Sequence, residues 1–124
     1  MPTTSPDRID LQDHGMVEVR TCELDGITVD YLTVKQPVDM AFMLSSLPDG
    51  RCQCPHWGIV TKGSFTVQYA DRSETVEQGD VFHMTPGHVP TYAVGTELVQ
   101  FSPTDELKAT DQAIQQAMAS LAES

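Results

Sequence analysis

The feature that most constrains the fold is an alternation of apolar and polar side chains with a period of two residues. Val17 and Val19 alternate with charged neighbours. Ile27, Val29 and Tyr31 alternate with polar neighbours in the same way. Successive side chains of a β-strand point to opposite sides, so this period is typical of strands with one buried face. The pattern therefore predicts half-buried strands in both segments.

Short segments with strand character continue along the chain, separated by turns rich in Gly, Pro and Asp. Candidate strands cover residues 52–61, 64–69, 74–77, 81–84, 91–94 and 97–101. The continuous apolar run Met40–Leu44 is predicted to be a strand buried on both faces, ended by a turn at residues 47–50. Short strands with turn signals every eight to twelve residues or so indicate an antiparallel sandwich or barrel.

One helix is predicted at the end of the chain, after a capping segment at residues 102–107 with acidic residues in its first turn. Its apolar face, which would pack on the barrel or on a second subunit, consists of Leu107, Ile114, Met118 and Leu121. Residues 1–14 are polar and are predicted to form an arm or an added edge strand. The 124 residues thus divide into an arm (1–14), a β-barrel (15–102) and a C-terminal helix (103–124), within one domain.

The charge of the chain limits its partners. Seven Lys and Arg oppose 18 Asp and Glu, which gives a formal net charge of -11. Nucleic acid and anionic membranes are excluded as partners on this basis, because both are bound through clustered cations. Small molecules and other proteins remain, and we expect a homodimer. The start of the chain has no apolar signal region and the cysteines number three, so a cytoplasmic location is expected.

Three side chains that can ligate metals lie close together in the sequence. Cys52, Cys54 and His56 alternate with other residues, so on an extended strand they would share one face. Thiolate sulfur and imidazole nitrogen are ligands for zinc, iron or copper. Two alternatives stay open: the cysteines are small buried apolar groups, or they form a strained disulfide, the less favoured of the two.

Two further histidines flank the turn Thr85-Pro-Gly87. His88 shares a face with residues 90 and 92, and the turn could return it to the mouth of a barrel. The turn resets the register of His83, so its direction is not predicted. His14 lies in the polar arm and is expected to be solvated.

Two segments of the chain resemble the cupin superfamily of small β-barrels. His56–Gly63 followed by Ser64–Gln68 is similar to the latter part of the first cupin signature, and Gly79–Gly87 is similar to the second. The segments Cys-Pro-His-Trp-Gly, Pro-Gly-His and Phe-Ser-Pro-Thr-Asp-Glu-Leu look like a subgroup of short bacterial cupins. The resemblance implies an all-β fold, a small antiparallel jelly-roll barrel with a C-terminal α-helix.

The resemblance also shows a departure at the metal site. Cupins usually hold one divalent metal through three histidines and a glutamate, and the four slots fall here on Gly50, Cys52, His56 and Pro90. Only Cys52 and His56 can bind metal. A shifted set of Cys52 or Cys54 with His56 and His88 would supply three N and S ligands and an open position, which favours zinc or iron.

The sequence leaves three functions open. The first is a metal-dependent enzyme that acts on a small organic molecule in the barrel, with lyase, isomerase, cyclase or dioxygenase chemistry and Tyr92 as an acid or orienting group. The second is a metal-free module that binds a small ligand between apolar walls drawn from Trp57, Phe42, Phe82 and Tyr92. The third is a scaffold whose cavity is filled by its own side chains.

Overall fold

The structure, a computed structural model, describes residues 2–123, without the side chains of residues 48 and 121–123. It contains ten strands and one long helix within that range. Their bounds are β1 Gln12–Asp13, β2 Val17–Leu24, β3 Ile27–Val34, β4 Val38–Asp39, β5 His56–Lys62, β6 Ser64–Gln68, β7 Ser73–Glu77, β8 Val81–Met84, β9 Val89–Tyr92, β10 Glu97–Pro103 and α1 Thr104–Glu123. No helix in the described range is both long and apolar enough to cross a membrane.

The strands form two antiparallel sheets that face each other. One sheet has six strands in the order β1-β2-β3-β10-β5-β8, and the other has four in the order β4-β9-β6-β7. The predicted fold class is confirmed, although the sheets are not closed into a continuous barrel. The tight turn between β5 and β6 depends on Gly63, whose φ of 78° suits a residue without a Cβ atom.

The apolar core lies between the two sheets, at one end of the sandwich. Phe65 on β6 and Phe82 on β8 meet edge to face with ring centroids 5.3 Å apart. Val60 on β5 and Leu98 on β10 are almost completely buried beside them. Burial of side chains of this size contributes about 2 kcal/mol each. The core borders a cavity, since Met84 and Leu98 belong to both.

The apolar run Met40–Leu44 is not a strand, and this prediction was wrong. The run folds into successive turns, in which the amide of Leu44 donates to the carbonyl of Met40 at 3.0 Å. The carboxylate of Asp39 also accepts from the amide of Ala41 at 2.9 Å. These local hydrogen bonds satisfy the backbone without a partner strand. Leu44 is buried, whereas Phe42 is exposed.

The strand predicted for residues 52–61 begins only at His56. Pro55 precedes it and has no amide to donate to a sheet. Upstream of Pro55, Cys52 forms an isolated antiparallel bridge to His88. The strand predicted for residues 91–94 lies at Val89–Tyr92 instead. Both shifts bring the segment around Cys52 against the turn that precedes β9.

The two faces of β3 have different surroundings. Thr28, Asp30 and Leu32 line the cavity between the sheets. The alternation Ile27, Val29 and Tyr31 therefore points to the opposite face, where Ile27 is 40% exposed. On this face Val29 is buried and Tyr31 is half-buried, so the segment is a half-buried strand as predicted, with Thr28, Asp30 and Leu32 turned to the cavity.

Helix α1 follows β10 directly and packs against β10 and β3. Thr104 begins it, and its hydroxyl lies 2.8 Å from the hydroxyl of Thr28 on β3. Leu107 is buried and Ile114 is half-buried, whereas Met118 is exposed. The side chain of Leu121, the fourth member of the predicted apolar face, lies outside the described residues. The helix thus packs through its first half.

Candidate functional site

A turn at residues 85–87 brings His88 against Cys52. The amide of Cys52 donates to the carbonyl of His88 at 3.1 Å, and the amide of Gly87 donates to the carbonyl of Cys52 at 2.8 Å. Gly87 has a φ of 97°, a conformation that favours glycine. Two stretches of chain more than thirty residues apart are held side by side in this way.

The hydrogen bonds of His88 define its protonation. Its Nδ1 atom lies 2.7 Å from the carbonyl oxygen of Thr85, and a carbonyl oxygen only accepts, so Nδ1 donates. The ring is 1% exposed, and burial lowers the pKa of His88 below its usual value. In the neutral ring Nε2 carries a free lone pair, and this atom is buried with no hydrogen-bond partner among the described residues. It is therefore available to a metal or a ligand.

His56, at the start of β5, is held in a similar way. Its Nδ1 atom lies 2.6 Å from the hydroxyl of Ser102 on β10, and its Nε2 atom lies 3.7 Å from the sulfur of Cys52. Burial, with a smaller contribution from His88, lowers the pKa of His56 to about 3. The imidazole is therefore neutral at physiological pH, the form in which histidine binds metals.

Cys52 connects the two histidines to the helix. Its sulfur lies 3.3 Å from the hydroxyl of Thr110 on α1. Burial raises the pKa of the Cys52 thiol, and the hydrogen bond from Thr110 opposes this by a smaller amount. In the metal-free protein the thiol is therefore protonated, and a bound cation would be needed to release its proton.

The three side chains form a compact cluster of ligand atoms. One ligand atom from each of Cys52, His56 and His88 lies within 4.8 Å of the other two, and all three residues are buried. The rings of His56 and His88 meet edge to face, with centroids 4.9 Å apart. Two imidazoles and one thiol fit a transition metal with an open coordination position. The free Nε2 of His88 is suited to be one of the ligand atoms.

The cluster lies in the wall of a cavity of about 630 Å³ that is lined by residues of both sheets and of α1. The cavity wall is mainly apolar, and it carries polar groups from both the sheet and the helix. A volume of this size is typical of pockets for small organic molecules. The arrangement can therefore place a small molecule next to the three ligand residues.

Two further residues were predicted for the site, Tyr92 and Cys54, and only Tyr92 lines the cavity. Tyr92 lines the same cavity, and burial raises the pKa of its phenol well above the usual value. Cys54 is buried outside the cluster, among Leu44 and Leu107, and burial raises its pKa to about 12. The three cysteines are free thiols, so no disulfide joins Cys52 and Cys54. The structure brings Cys52, His56, His88 and Tyr92 to one cavity and leaves Cys54 out.

The remaining histidines are not part of the cluster. His83 lies on the outer face of the six-stranded sheet and stacks on Trp57, with ring centroids 4.5 Å apart. His14 is exposed at the rim of the cavity. Of the aromatic walls expected for a ligand pocket, Tyr92 alone lines the cavity, because Phe82 lies in the core and Phe42 and Trp57 are exposed.

Sequence reasoning missed several polar residues around the cluster. Ser102 and Thr110 contact His56 and Cys52, and Asp30 and Gln100 line the cavity beside them. Ser102 was interpreted only as a candidate helix cap. A weak signal existed for Asp30, since an acidic residue within an apolar strand indicates that its face is not packed core.

Comparison with known proteins supports the fold. No family model matches the sequence, and a search of curated proteins finds no relative. Solved structures do match. An RmlC-like cupin from Shewanella frigidimarina is 13% identical over 81% of this chain and 88% of its own, with a TM-score of 0.57.

Two further neighbours are longer chains, one named as a decarboxylase and one named with iron. A variant of oxalate decarboxylase from Bacillus subtilis is 12% identical, with a TM-score of 0.59 over 81% of this chain and 28% of its own. FeII HppE is 10% identical, with a TM-score of 0.58 over 82% of this chain and 60% of its own. Identities this low indicate a shared fold and leave the function to be argued from the site. The chain has a cupin fold, as the sequence resemblance implied.

Proposed function

We propose that this cupin-fold protein holds a zinc or iron ion through Cys52, His56 and His88 and acts as an enzyme on a small organic molecule in the adjoining cavity. The observation that carries the proposal is the buried, unpartnered Nε2 atom of His88 within a cluster whose ligand atoms lie within 4.8 Å. A buried nitrogen without a hydrogen-bond partner costs about 1–3 kcal/mol of folding free energy. We therefore expect this atom to bind a group from outside the chain.

The donor set favours zinc or iron over magnesium or manganese. Thiolate and imidazole are softer ligands than carboxylates, and Mg²⁺ and Mn²⁺ prefer oxygen. A metal on three protein ligands keeps an open position and, when bound, can polarise a carbonyl or activate water or dioxygen. A neighbour of the same fold, FeII HppE, carries iron by name.

The residues around the metal ligands would fix their orientation. Ser102 and the carbonyl of Thr85 hold the Nδ1 atoms of His56 and His88, which keeps each Nε2 atom directed away from these partners. The phenol of Tyr92 keeps its proton at neutral pH because burial raises its pKa. Tyr92 is therefore suited to orient a substrate by donating a hydrogen bond, whereas loss of its proton would be unfavourable.

The proposal is tested by metal analysis of protein purified without an affinity tag. We expect about one zinc or iron ion per chain, and a loss of most of it in Cys52→Ser and His88→Ala. Cys22→Ser and His83→Ala are matched controls outside the cluster and should retain the metal. Metal-free protein that takes up no zinc or iron on reconstitution, or a Cys52→Ser/His88→Ala double variant with full metal content, would overturn the metal site.

A metal-free binding module is the second candidate. One observation favours it: Cys52 already contacts His56 and Thr110, so most of the polar network is satisfied without a metal. Turnover of carbonyl or phenolic compounds by the metal-loaded protein alone would support the enzyme. A ligand-induced rise in melting temperature that is the same with and without metal, and no turnover, would support the module.

A further inference from the structure

Beyond the metal ligands, the cavity wall contains a row of polar residues across three neighbouring strands. The strand register aligns Thr21 on β2 with Asp30 on β3, and Asp30 with Gln100 on β10. All three residues line the cavity. The row continues to Gly58 on β5, which has no side chain. An acidic residue and an amide therefore lie next to each other on a surface that is otherwise mainly apolar.

This row is adjacent to the candidate metal ligands. Ser102 and His56 lie two residues further along β10 and β5 than Gln100 and Gly58. Strand geometry puts about 7 Å between neighbouring rows on one face and about 4.8 Å between neighbouring strands. The Cα atoms of Asp30 and His56 are then roughly 12 Å apart, and their side chains point into the same cavity. A small molecule can reach both.

The hydrogen-bonding capacity of the row is only partly used within the protein. The Oε1 atom of Gln100 is buried and has no hydrogen-bond partner among the described residues. Burial raises the pKa of Asp30, and a hydrogen bond with Thr21 opposes this by a smaller amount. The cavity thus presents acceptors that need a donor.

The charges around the cavity have the same sign as this row. Glu23, Asp30 and Asp111 line it, and burial together with the nearby Asp30 raises the pKa of Asp111. Of the cationic side chains that line it in the described part of the chain, Lys108 is exposed, with its ammonium 3.7 Å from Asp105. Arg51 and Lys62 are not in the lining. An anionic ligand would therefore be repelled.

We infer that the cavity selects a small molecule with a protonated amine, which donates to the carboxylate of Asp30 and to Oε1 of Gln100 while the rest of the molecule extends toward Cys52, His56 and His88. The inference rests on the proposed function only in that both need a small molecule to enter the cavity. It names the class of that molecule, a cationic amine with an apolar body that matches the apolar wall.

The test uses three probes of one skeleton with different charge: phenethylamine, phenylethanol and phenylacetate. Their binding to the full chain is measured by isothermal titration calorimetry, with metal-depleted and with zinc-loaded protein. A hydrogen bond to a charged partner corresponds to an affinity change of about tenfold or more, so phenethylamine should bind at least about 10-fold more tightly than phenylethanol. Phenylacetate should bind most weakly.

Two variants test whether Asp30 and Gln100 are responsible for the preference for the amine. Asp30→Asn keeps the shape and removes the charge, and it should reduce the preference for the amine to about threefold or less. Gln100→Leu should weaken amine binding without changing the order of the three probes. Asp10→Asn, an exposed acidic residue in the N-terminal segment, is the matched control and should bind like the unmodified protein. Circular dichroism checks that each variant is folded.

The outcomes separate this inference from the metal site. Equal or tighter binding of phenylacetate, or no binding of the amine at millimolar concentration, would each overturn it. So would an unchanged preference in folded Asp30→Asn, or an unchanged amine affinity in folded Gln100→Leu. Metal content is measured on the same samples. Absence of an amine preference in protein with full metal content refutes this inference alone. Amine preference in protein that takes up no zinc on loading refutes the metal site alone.

Discussion

The hydroxyl of Ser102 lies 2.6 Å from Nδ1 of His56, and Ser102 is fully buried. For His56 to offer its Nε2 atom to a metal, Nδ1 must carry the proton and donate to Ser102. Strand β10 thus sets the orientation of a side chain on β5. This contact resembles the outer-shell hydrogen bonds that fix metal-binding histidines in other proteins.

Replacement of Ser102 by alanine should weaken metal binding and stability together. The variant leaves Nδ1 of His56 buried without a partner, which costs about 1–3 kcal/mol of unfolding free energy. Loss of an outer-shell partner typically lowers metal affinity about 10–100-fold. Zinc affinity is measured by competition with a chromophoric chelator, and stability by urea unfolding. Thr91→Ala, on the exposed side of β9, is the control, and Ser102→Ala with unchanged zinc affinity would contradict the role of this contact.

The contact between α1 and Cys52 leads to a second prediction. The hydroxyl of Thr110 lies 3.3 Å from the sulfur of Cys52 and stabilises its thiolate form. Thr110→Val keeps the shape of the side chain and removes the hydroxyl, so zinc affinity should fall about tenfold or more, as expected for a hydrogen bond to a charged group.

Thr110→Ser restores the hydroxyl and serves as the matched comparison. It should recover most of the zinc affinity, although it loses a methyl group worth about 1 kcal/mol of stability. Equal zinc affinity in Thr110→Val and Thr110→Ser would show that the hydroxyl does not act on the thiolate. The same titrations as for Ser102 provide the measurement.

Much of the fold was predictable because its signals are local. The period of two in β2 and β3 and the turns at Gly63 and Gly87 depend on neighbouring residues only, so the antiparallel strands could be predicted from the sequence. The run Met40–Leu44 could not be placed, since a short apolar run has no period to distinguish a strand from a turn. There the hydrogen bond of the Asp39 carboxylate to the backbone favours the turn.

The candidate site was only partly predictable because its contacts are distant in the chain. Imidazole and thiol side chains identify His56, His88 and Cys52 by their chemistry alone. Ser102 and Thr110 have no such signature, and they lie 46 and 58 residues from their partners. Cys54 was included on the assumption of a continuous strand, which Pro55 interrupts.

Gly58 provides a prediction about the sheet that carries the site. A Cβ atom at this position would collide with the carbonyl oxygen of Val99 and lie 2.6 Å from Cζ of Phe82. Gly58→Ala should therefore destabilise the protein by about 1–3 kcal/mol or more, because a packed core resists added volume. Urea unfolding measures the change, with Lys62→Ala on the exposed end of the same strand as the control. Equal stability of Gly58→Ala and the unmodified protein would contradict this packing.

Because His56 and His88 are buried, we expect the metal-free protein to lose stability in mild acid. Burial lowers the pKa of both, that of His56 to about 3, so the His56 ring is neutral in the folded state at pH 5.5 and His88 takes up its proton at a lower pH than a free histidine. In the unfolded chain a histidine titrates near pH 6.5 and takes up a proton as the pH falls below that value. Unfolding then gains protons, and stability decreases by up to about 1.4 kcal/mol per pH unit for each histidine.

The expected decrease between pH 7 and pH 5.5 is about 1 kcal/mol from His56, with a further contribution from His88. Asp30 and Asp111 act in the opposite direction, because their raised pKa values let the folded state bind protons at pH values where the unfolded carboxyls, with a pKa of 3.8, are still ionised. Urea unfolding in the presence of a chelator measures the change. His83→Gln, at an exposed histidine, should retain the pH dependence, whereas His88→Gln should lose part of it. Equal unfolding free energies at pH 7 and pH 5.5 would show that neither buried ring is held neutral.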